Sequence, residues 1–270
     1  MTVSADSPAA RPIVTMPAPE ATDASYFDLG AALSDLGAGR ALRFPPFEMV
    51  YWPDAGLQFA LNMARDPIQK ALRAGRFFEE EELGLLAEHV KSGAEVIDIG
   101  ANIGNHAVYF ATRMQARRVV VVEPNPLALA PLVANVVLNK LGHVIDMGAL
   151  GIGLSDRSEG GFGMKRHDRN LGATKLRAGK GGIEVHPGDA IFADETPDLI
   201  KIDVEGMEMK VLSGLEETIS RSRPVILVEV DEENADGFEA WRQDQGYRIV
   251  RSLRHSAKNC NHLLVPEARG

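Results

Sequence analysis

Glu95-Val96-Ile97-Asp98-Ile99-Gly100-Ala101-Asn102-Ile103-Gly104-Asn105-His106 is the stretch from which the fold follows. A short apolar run carrying one acid breaks at Gly100, turns, and resumes at Ala107 as an apolar-periodic segment that reaches Met114. That order reads strand, glycine turn, helix. Glycine has no Cβ and reaches dihedrals that other residues avoid, so a ligand can approach such a turn closely. The helix that follows offers unpaired N–H groups at its start. The acid at the strand end is the unusual feature.

Outward from this stretch the chain alternates. Arg118-Val119-Val120-Val121-Val122 is continuously apolar, as a strand buried on both faces should be. A helix is predicted from Leu127 to about Asn139 and a third strand near Val144–Met147. Gly148 to Gly182 reads as irregular and glycine-rich, with room for short strands. Leu199–Asp203 is a fourth strand, Glu208 to about Ser220 a helix, and Val225–Val230 a fifth strand. After a short helix around Phe238–Gln243, Tyr247–Ser252 and His262–Val265 form two strands joined without a helix. Strands alternating with helices predict an α/β fold with a Rossmann-like, mostly parallel sheet and helices on both faces. The last pair predicts an antiparallel final strand.

Before Glu95 the chain changes character. Residues 1–24 are rich in Ala, Pro, Ser and Thr and are expected to be a disordered tail. Residues 25–92 are expected to form a small N-terminal cap: a hairpin from Phe47–Trp52 and Leu57–Leu61 around the turn signal Pro53-Asp54-Ala55-Gly56, and a helix opened by Glu79-Glu80-Glu81-Glu82. Residues 93–270 hold the sheet. The 270 residues carry a net charge of -9 without a block of basic residues, which argues against a phosphate-backbone partner. One cysteine, Cys260, excludes an internal disulfide and fits a reducing compartment. No apolar run reaches membrane-spanning length and the N-terminus lacks the pattern of a secretory signal, so a cytoplasmic location is expected.

In an open parallel sheet, ligands bind outside the carboxyl ends of the strands. Four strands here carry an acid at that end: Asp98, Glu123, Asp203 and Glu229. Glu123 follows the glycine turn at about the twenty-residue spacing of an acid that binds ribose hydroxyls. A dinucleotide site reads G-x-G-x-x-G because pyrophosphate must approach a bare helix start. Here Asn102 stands at the middle glycine and Asp98 precedes the turn. A carboxylate there repels pyrophosphate and suits an ammonium or sulfonium, which favours S-adenosylmethionine over NAD.

These residues resemble the FkbM-type family of S-adenosylmethionine-dependent methyltransferases. The resemblance is carried by Val96 to Asn105, by Val122-Glu123-Pro124-Asn125-Pro126, by Asn135 and Leu138-Asn139, and by Asn170-Leu171-Gly172-Ala173-Thr174. It continues through Leu199 to Glu208, its most specific block, then Arg223 to Val230 and Asn261 to Pro266. It implies a class I methyltransferase fold with strand order 3-2-1-4-5-7-6, and acceptors that are mostly hydroxyls on sugars or on sugar-bearing and polyketide natural products. Before strand four the family's Leu-Asp pair is represented only by Asp189, after Pro187-Gly188.

The expected cofactor-binding set is Asp98, Gly100, Asn102, Gly104, Asn105, Glu123, Pro124, Asn125 and Asp203. Methyl transfer to a neutral hydroxyl needs alignment and a base. Asp203 and Glu205 are the candidate catalytic residues, with Glu205 equally readable as a cap for the next helix. Lys201, inside strand four, is expected to pair with an acid on a neighbouring strand. His106, His167 and Asn170 are candidates for the acceptor site. A Mg²⁺ on Asp203, Glu205 and a third acid is an alternative, but the sequence fixes no third ligand, so no metal is assigned. The expected activity is O-methylation of a small-molecule or glycan acceptor. A nicotinamide-dependent oxidoreductase and a non-catalytic S-adenosylmethionine-binding module are the competing readings.

Overall fold

The computed structural model describes residues 27–165, 170–179, 181–254 and 258–267, together with the backbone of Val14–Met16. β1 (Val14–Met16), β2 (Glu48–Trp52) and β3 (Leu57–Leu61) form an antiparallel sheet in that order. β1 lies inside the stretch expected to be a disordered tail and pairs with Met49–Tyr51; the other residues of that stretch are outside the described ones. α1 (Leu29–Gly37) starts at Asp28, whose carboxylate accepts from the Ala31 N–H. α2 (Pro67–Arg73) starts in the same way at Asp66, and α3 (Glu80–Ala87) is the acid-opened helix.

From here the alternation is as predicted. The order is β4 (Glu95–Ile99), α4 (Asn105–Thr112), β5 (Arg118–Glu123), α5 (Pro126–Leu138) and β6 (Ile145–Leu150). The glycine-rich stretch is more regular than its composition suggests. β7 (Gly153–Ser155), β8 (Glu159–Lys165), β9 (Lys175–Arg177) and β10 (Ile183–Pro187) make a separate sheet, ordered β7-β10-β8-β9. The glycine content serves close strand approach: a Cβ on Gly181 would lie 2.5 Å from the Phe162 carbonyl oxygen.

α6 (Gly188–Ile191) leads to β11 (Leu199–Ile202). The single helix expected after it is two, α7 (Glu208–Ser213) and α8 (Glu216–Ser222). The break falls at Gly214, where a Cβ would sit 2.0 Å from the Ser155 carbonyl oxygen. β12 (Val225–Asp231), α9 (Ala235–Asp244), β13 (Tyr247–Leu253) and β14 (Asn259–Pro266) complete the chain. The main sheet runs β13-β14-β12-β11-β4-β5-β6, with only β14 pairings antiparallel. Read from β6, this is the order 3-2-1-4-5-7-6 that the resemblance implies.

Alternation along each strand divides the core. Ile97, Ile99, Val120, Val122, Ile200, Ile202, Ile226 and Val228 face α7, α8 and α9. Val96, Val119, Val121, Leu199, Leu227 and Leu263 face α3, α4, α5 and the cap. The cap is fastened by asparagines that satisfy otherwise unpaired backbone. Asn135 on α5 accepts from the Ala60 N–H at 2.6 Å and donates to the Ile103 carbonyl at 2.8 Å. Asn139 bonds both backbone groups of Gln58.

Side chains two apart on a strand share a face. Asp98 and Lys201 therefore lie on the cap-side face, where the parallel register sets them directly opposite one another. Two residues on, the same parity gives Glu123, Gly100, Asp203 and Glu229, and Asn261 lies opposite Glu229. One row of polar groups thus ends the core at the carboxyl edge of the sheet.

Candidate active site

At that edge a cleft of about 590 Å³, open to solvent at its mouth, runs between the ends of β4, β5 and β11 and the β7–β10 sheet. Its volume falls in the range of cofactor pockets. Ile99, Val122, Leu154, Leu171 and Leu176 supply apolar wall, and Met164 and Met207 lie further along it. The polar lining comes from Asn102, Glu123, Asn125, Thr174, Asp203 and Glu205. Of the expected cofactor residues, Gly100, Asn102, Glu123, Pro124, Asn125 and Asp203 are brought together here.

Glu123 is held by the turn it faces. One carboxylate oxygen accepts from the Asn102 N–H at 2.8 Å, the other from the Asn125 N–H at 2.7 Å. Each oxygen has a further lone pair for a hydroxyl donor. Burial pushes its carboxyl up to about 7 against the pull of those two N–H groups. Asn125 also starts α5, accepting from the Leu127 N–H. Asn102 stands at φ 51, in the left-handed region, with its side-chain oxygen on the Ile103 N–H.

Gly100 is required for a reason the sequence did not suggest. With φ +77, a Cβ there would lie 1.8 Å from the Asp203 carbonyl oxygen. The turn is bare because the β11 backbone presses on it.

Three expected cofactor residues lie elsewhere. Asp98 is fully buried and is absent from the cleft wall; its neighbour is the Lys201 ammonium at 3.3 Å. The register that opposes the two residues explains this: the cation matched to Asp98 belongs to the protein. Lys201 also donates to the Gly100 carbonyl at 2.8 Å and lies 3.6 Å from Asp203, so the expected cross-strand pairing is present. Asn105 is turned to the cap, where its side chain accepts from the Phe78 N–H and donates to the Phe78 carbonyl. Gly104 precedes α4 at φ +86, close to Leu132.

The acceptor candidates separate similarly. His106 is buried at the start of α4, with Nε2 3.2 Å from the Glu79 carboxylate and its ring stacked on Phe110. It is a partner of the cap and does not line the cleft. The Asn170 side-chain oxygen accepts from the Ala173 N–H, forming the turn whose neighbours Leu171, Gly172 and Thr174 line the cleft. His167 lies outside the described residues.

Asp203 and Glu205 both line the cleft. Burial raises the Asp203 carboxyl, against the opposing charge of Lys201. Burial, then the Asp203 charge, pushes Glu205 up to about 7, with Lys175 pulling the other way. Glu205 stands at φ 52 and Gly206 at φ +95. The capping reading of Glu205 is not realised: α7 has no side-chain cap, and Glu208 takes the Gly206 N–H.

Several residues of this region were not singled out. Glu79, at φ 58 before α3, reaches into the space behind Asp203, where it shares a small cavity with Lys201, Glu229 and Asn261. It read only as the first of an acid run. Lys175 on β9 pairs with Asp231 at 2.7 Å beside Gly206. Glu229 was already read as a strand-end acid, and strand parity could have found Asn261 opposite it; nothing local points to Lys175.

The description "Methyltransferase FkbM domain" is matched by residues 98–249. AMB antimetabolite synthetase AmbE from Pseudomonas aeruginosa is 29% identical over 194 residues, which cover 56% of this chain and 9% of that protein. A methyltransferase FkbM from Methylobacillus flagellatus KT superposes with TM-score 0.44 at 22% identity, covering 63% of this chain and 43% of the other. The Methanocaldococcus jannaschii tRNA m1G37 methyltransferase gives TM-score 0.46 at 12% identity, with 79% and 53% covered. The chain spans under a tenth of AmbE and less than half of the Methylobacillus flagellatus chain. With these TM-scores below 0.5, the family assignment rests on the matched domain. No helix among the described residues is long and apolar enough to cross a membrane. The cleft combines apolar walls with the carboxylates of Glu123, Asp203 and Glu205, a lining that fits a cationic nucleoside, and with more than half of its length matched the chain belongs to the FkbM methyltransferase family, with S-adenosylmethionine as its cofactor.

Proposed function

We propose that this methyltransferase acts on a hydroxyl oxygen of a sugar, glycolipid, polysaccharide or natural-product acceptor. The observation that carries the reading is Glu205. It lines the inner end of the cofactor cleft with its carboxyl raised to about 7 by burial and by Asp203. A base is most effective when its pKa lies near the working pH. A hydroxyl needs such a base; an amine acceptor, already nucleophilic when neutral, needs one less. Bound S-adenosylmethionine supplies a methyl group on a sulfonium. Glu123 accepts from the ribose hydroxyls, and the apolar walls hold the adenine. Asp203, held near Lys201, faces the cationic end of the cofactor and orients the acceptor. The antimetabolite synthetase named among the relatives supports a natural-product acceptor.

The test is transfer of labelled methyl from S-adenosylmethionine to a panel of hydroxylated sugars, glycolipids and polyketides. Glu205→Gln is expected to leave S-adenosylhomocysteine affinity within about twofold and to cut turnover by roughly 10²-fold, the ordinary contribution of a general base. Full turnover in that variant removes Glu205 from the role. Methylated product from a hydroxyl acceptor excludes the non-catalytic binding module, and calorimetric binding of NAD without either adenosyl ligand would overturn the methyltransferase reading itself.

A further inference from the structure

We propose that Asp203, Glu205 and Glu229 form a binding site for one divalent cation of the Mg²⁺ or Mn²⁺ class, completed by the side-chain oxygen of Asn261. One carboxylate oxygen from each acid lies within 4.8 Å of the others. That spacing suits oxygens converging on one small cation, and an all-oxygen set selects a hard one.

Among the described residues, charge pairing leaves two of these acids, Glu205 and Glu229, without a basic partner. Asp98 has Lys201 at 3.3 Å, Asp231 has Lys175 at 2.7 Å, and Glu79 has His106 at 3.2 Å. Asp98, Asp231 and Glu79 thus each have a basic neighbour. Lys201, already donating to Gly100, lies 3.6 Å from Asp203. No basic side chain forms an ion pair with Glu205 or Glu229 among the described residues. Asn259 donates its amide N–H to one Glu229 oxygen.

Asn261 is the independent observation. It is 5% exposed, and its side-chain oxygen has no hydrogen-bond partner. An orphaned buried acceptor is costly and needs an explanation. Its amide nitrogen is oriented by Glu82 at 3.1 Å and Glu79 at 3.4 Å, which leaves the oxygen as the free end. Asn261 stands directly opposite Glu229 and lines the same small cavity as Asp203 and Glu229. A cation there accounts for the orphaned oxygen and for Glu205 and Glu229, which have no basic partner among the described residues, together.

The site's part in the reaction rests on the O-methyl reading above; binding itself does not. A hydroxyl entering the cation's shell has its pKa lowered, so its proton passes more readily to the non-ligating oxygen of Glu205.

The experiment titrates MnCl₂ into the full chain, stripped of metal and saturated with S-adenosylhomocysteine, with free Mn²⁺ followed by electron paramagnetic resonance. One saturable site per chain is expected. Glu229→Gln should weaken it about tenfold or more, and should leave S-adenosylhomocysteine affinity unchanged, since Glu229 is not part of the cofactor cleft. If that variant does not fold, Glu205→Gln, on a loop, carries the same expectation for Mn²⁺. Absence of a saturable site in the unaltered chain, or equal Mn²⁺ affinity in the folded variants, overturns the proposal. A chain that binds Mn²⁺ but methylates no hydroxyl acceptor sinks the O-methyl reading alone. One that methylates a hydroxyl acceptor equally well in EDTA and takes up no Mn²⁺ sinks the cation site alone.

Discussion

Two turns of the main sheet are built alike and used differently. Each follows an apolar strand, carries acid near its start and pivots on a glycine in the left-handed region, Gly100 at φ +77 and Gly206 at φ +95. The first is closed. Its glycine presses on the Asp203 backbone, and its acid, Asp98, is sealed beside Lys201. The second is open. A Cβ on Gly206 would meet only side-chain ends, Asp231 and Lys175 at 3.3 Å, and Asp203 and Glu205 remain on the cleft wall. The same local pattern gives a rigid frame in one place and available carboxylates in the other. The difference comes from what the neighbouring strand brings: Lys201 opposes Asp98, whereas the strand-end row beside Asp203 supplies further oxygen, from Glu229 and Asn261.

The sharpest way to break the comparison is to put the same methyl on both glycines. Gly100→Ala collides with backbone and should cost about 4 kcal/mol or more, the range reserved for severe core damage. Gly206→Ala bears the left-handed conformation and a movable contact, about 1–3 kcal/mol. Denaturant unfolding of the two variants measures both. Equal losses would show that the first turn is as open as the second.

The next largest effect belongs to the sealed acid. Lys201→Met leaves Asp98 buried without a counter-charge and should destabilise by about 3–5 kcal/mol. The double variant Lys201→Met with Asp98→Asn should recover part of that loss, because the stranded charge is gone. No recovery in a double-mutant cycle would mean that Asp98 and Lys201 act independently.

This pair also marks how far the sequence could be read. Element order, the antiparallel last strand and the strand-end acids were legible because hydrophobic period and turn residues are local signals. The pairing of Lys201 with a neighbouring acid was legible too, since a buried ammonium needs one. Which acid it takes depends on register, and that assigned Asp98 to the protein instead of the ligand. Asn105 and His106 were misread for a similar reason. They sit where a nucleotide turn would use them, yet Phe78 and Glu79 from the cap reach them first. The β7–β10 sheet was hidden because glycine lowers strand propensity even where close backbone packing demands it.

On the open turn the carboxyls should be visible in pH. With Glu205 near 7, methyl transfer in metal-free buffer should rise about tenfold per unit up to pH 7 and level off above it, as the base form fills. Stability should move the opposite way. A carboxyl near 4.5 when unfolded and raised to about 7 for Glu205, or about 9 for Glu229, holds more protons in the folded chain. Unfolding free energy therefore falls as pH rises from about 4.5 through these values. Thermal unfolding across pH 5–9 checks the sign. A melting temperature that climbs through this window would contradict buried, unpaired acids at the second turn.

The smallest effect concerns the ion pair that borders the open turn. Lys175 is 45% exposed, so its bond to Asp231 should contribute no more than about 1 kcal/mol, and less at high salt. Lys175→Ala is then nearly silent in unfolding, yet it removes a charge that holds the Glu205 carboxyl down. The midpoint of the rate profile should move to higher pH, with the plateau rate little changed. Lys201 offers the contrast: its loss damages the fold, because Asp98 is fully buried, whereas Asp231 keeps some contact with solvent, its side chain being 13% exposed. A variant as unstable as Lys201→Met would show that β9 is clamped onto the sheet. A small stability loss with a displaced pH midpoint identifies Lys175 as a charge that tunes the second turn without holding it together.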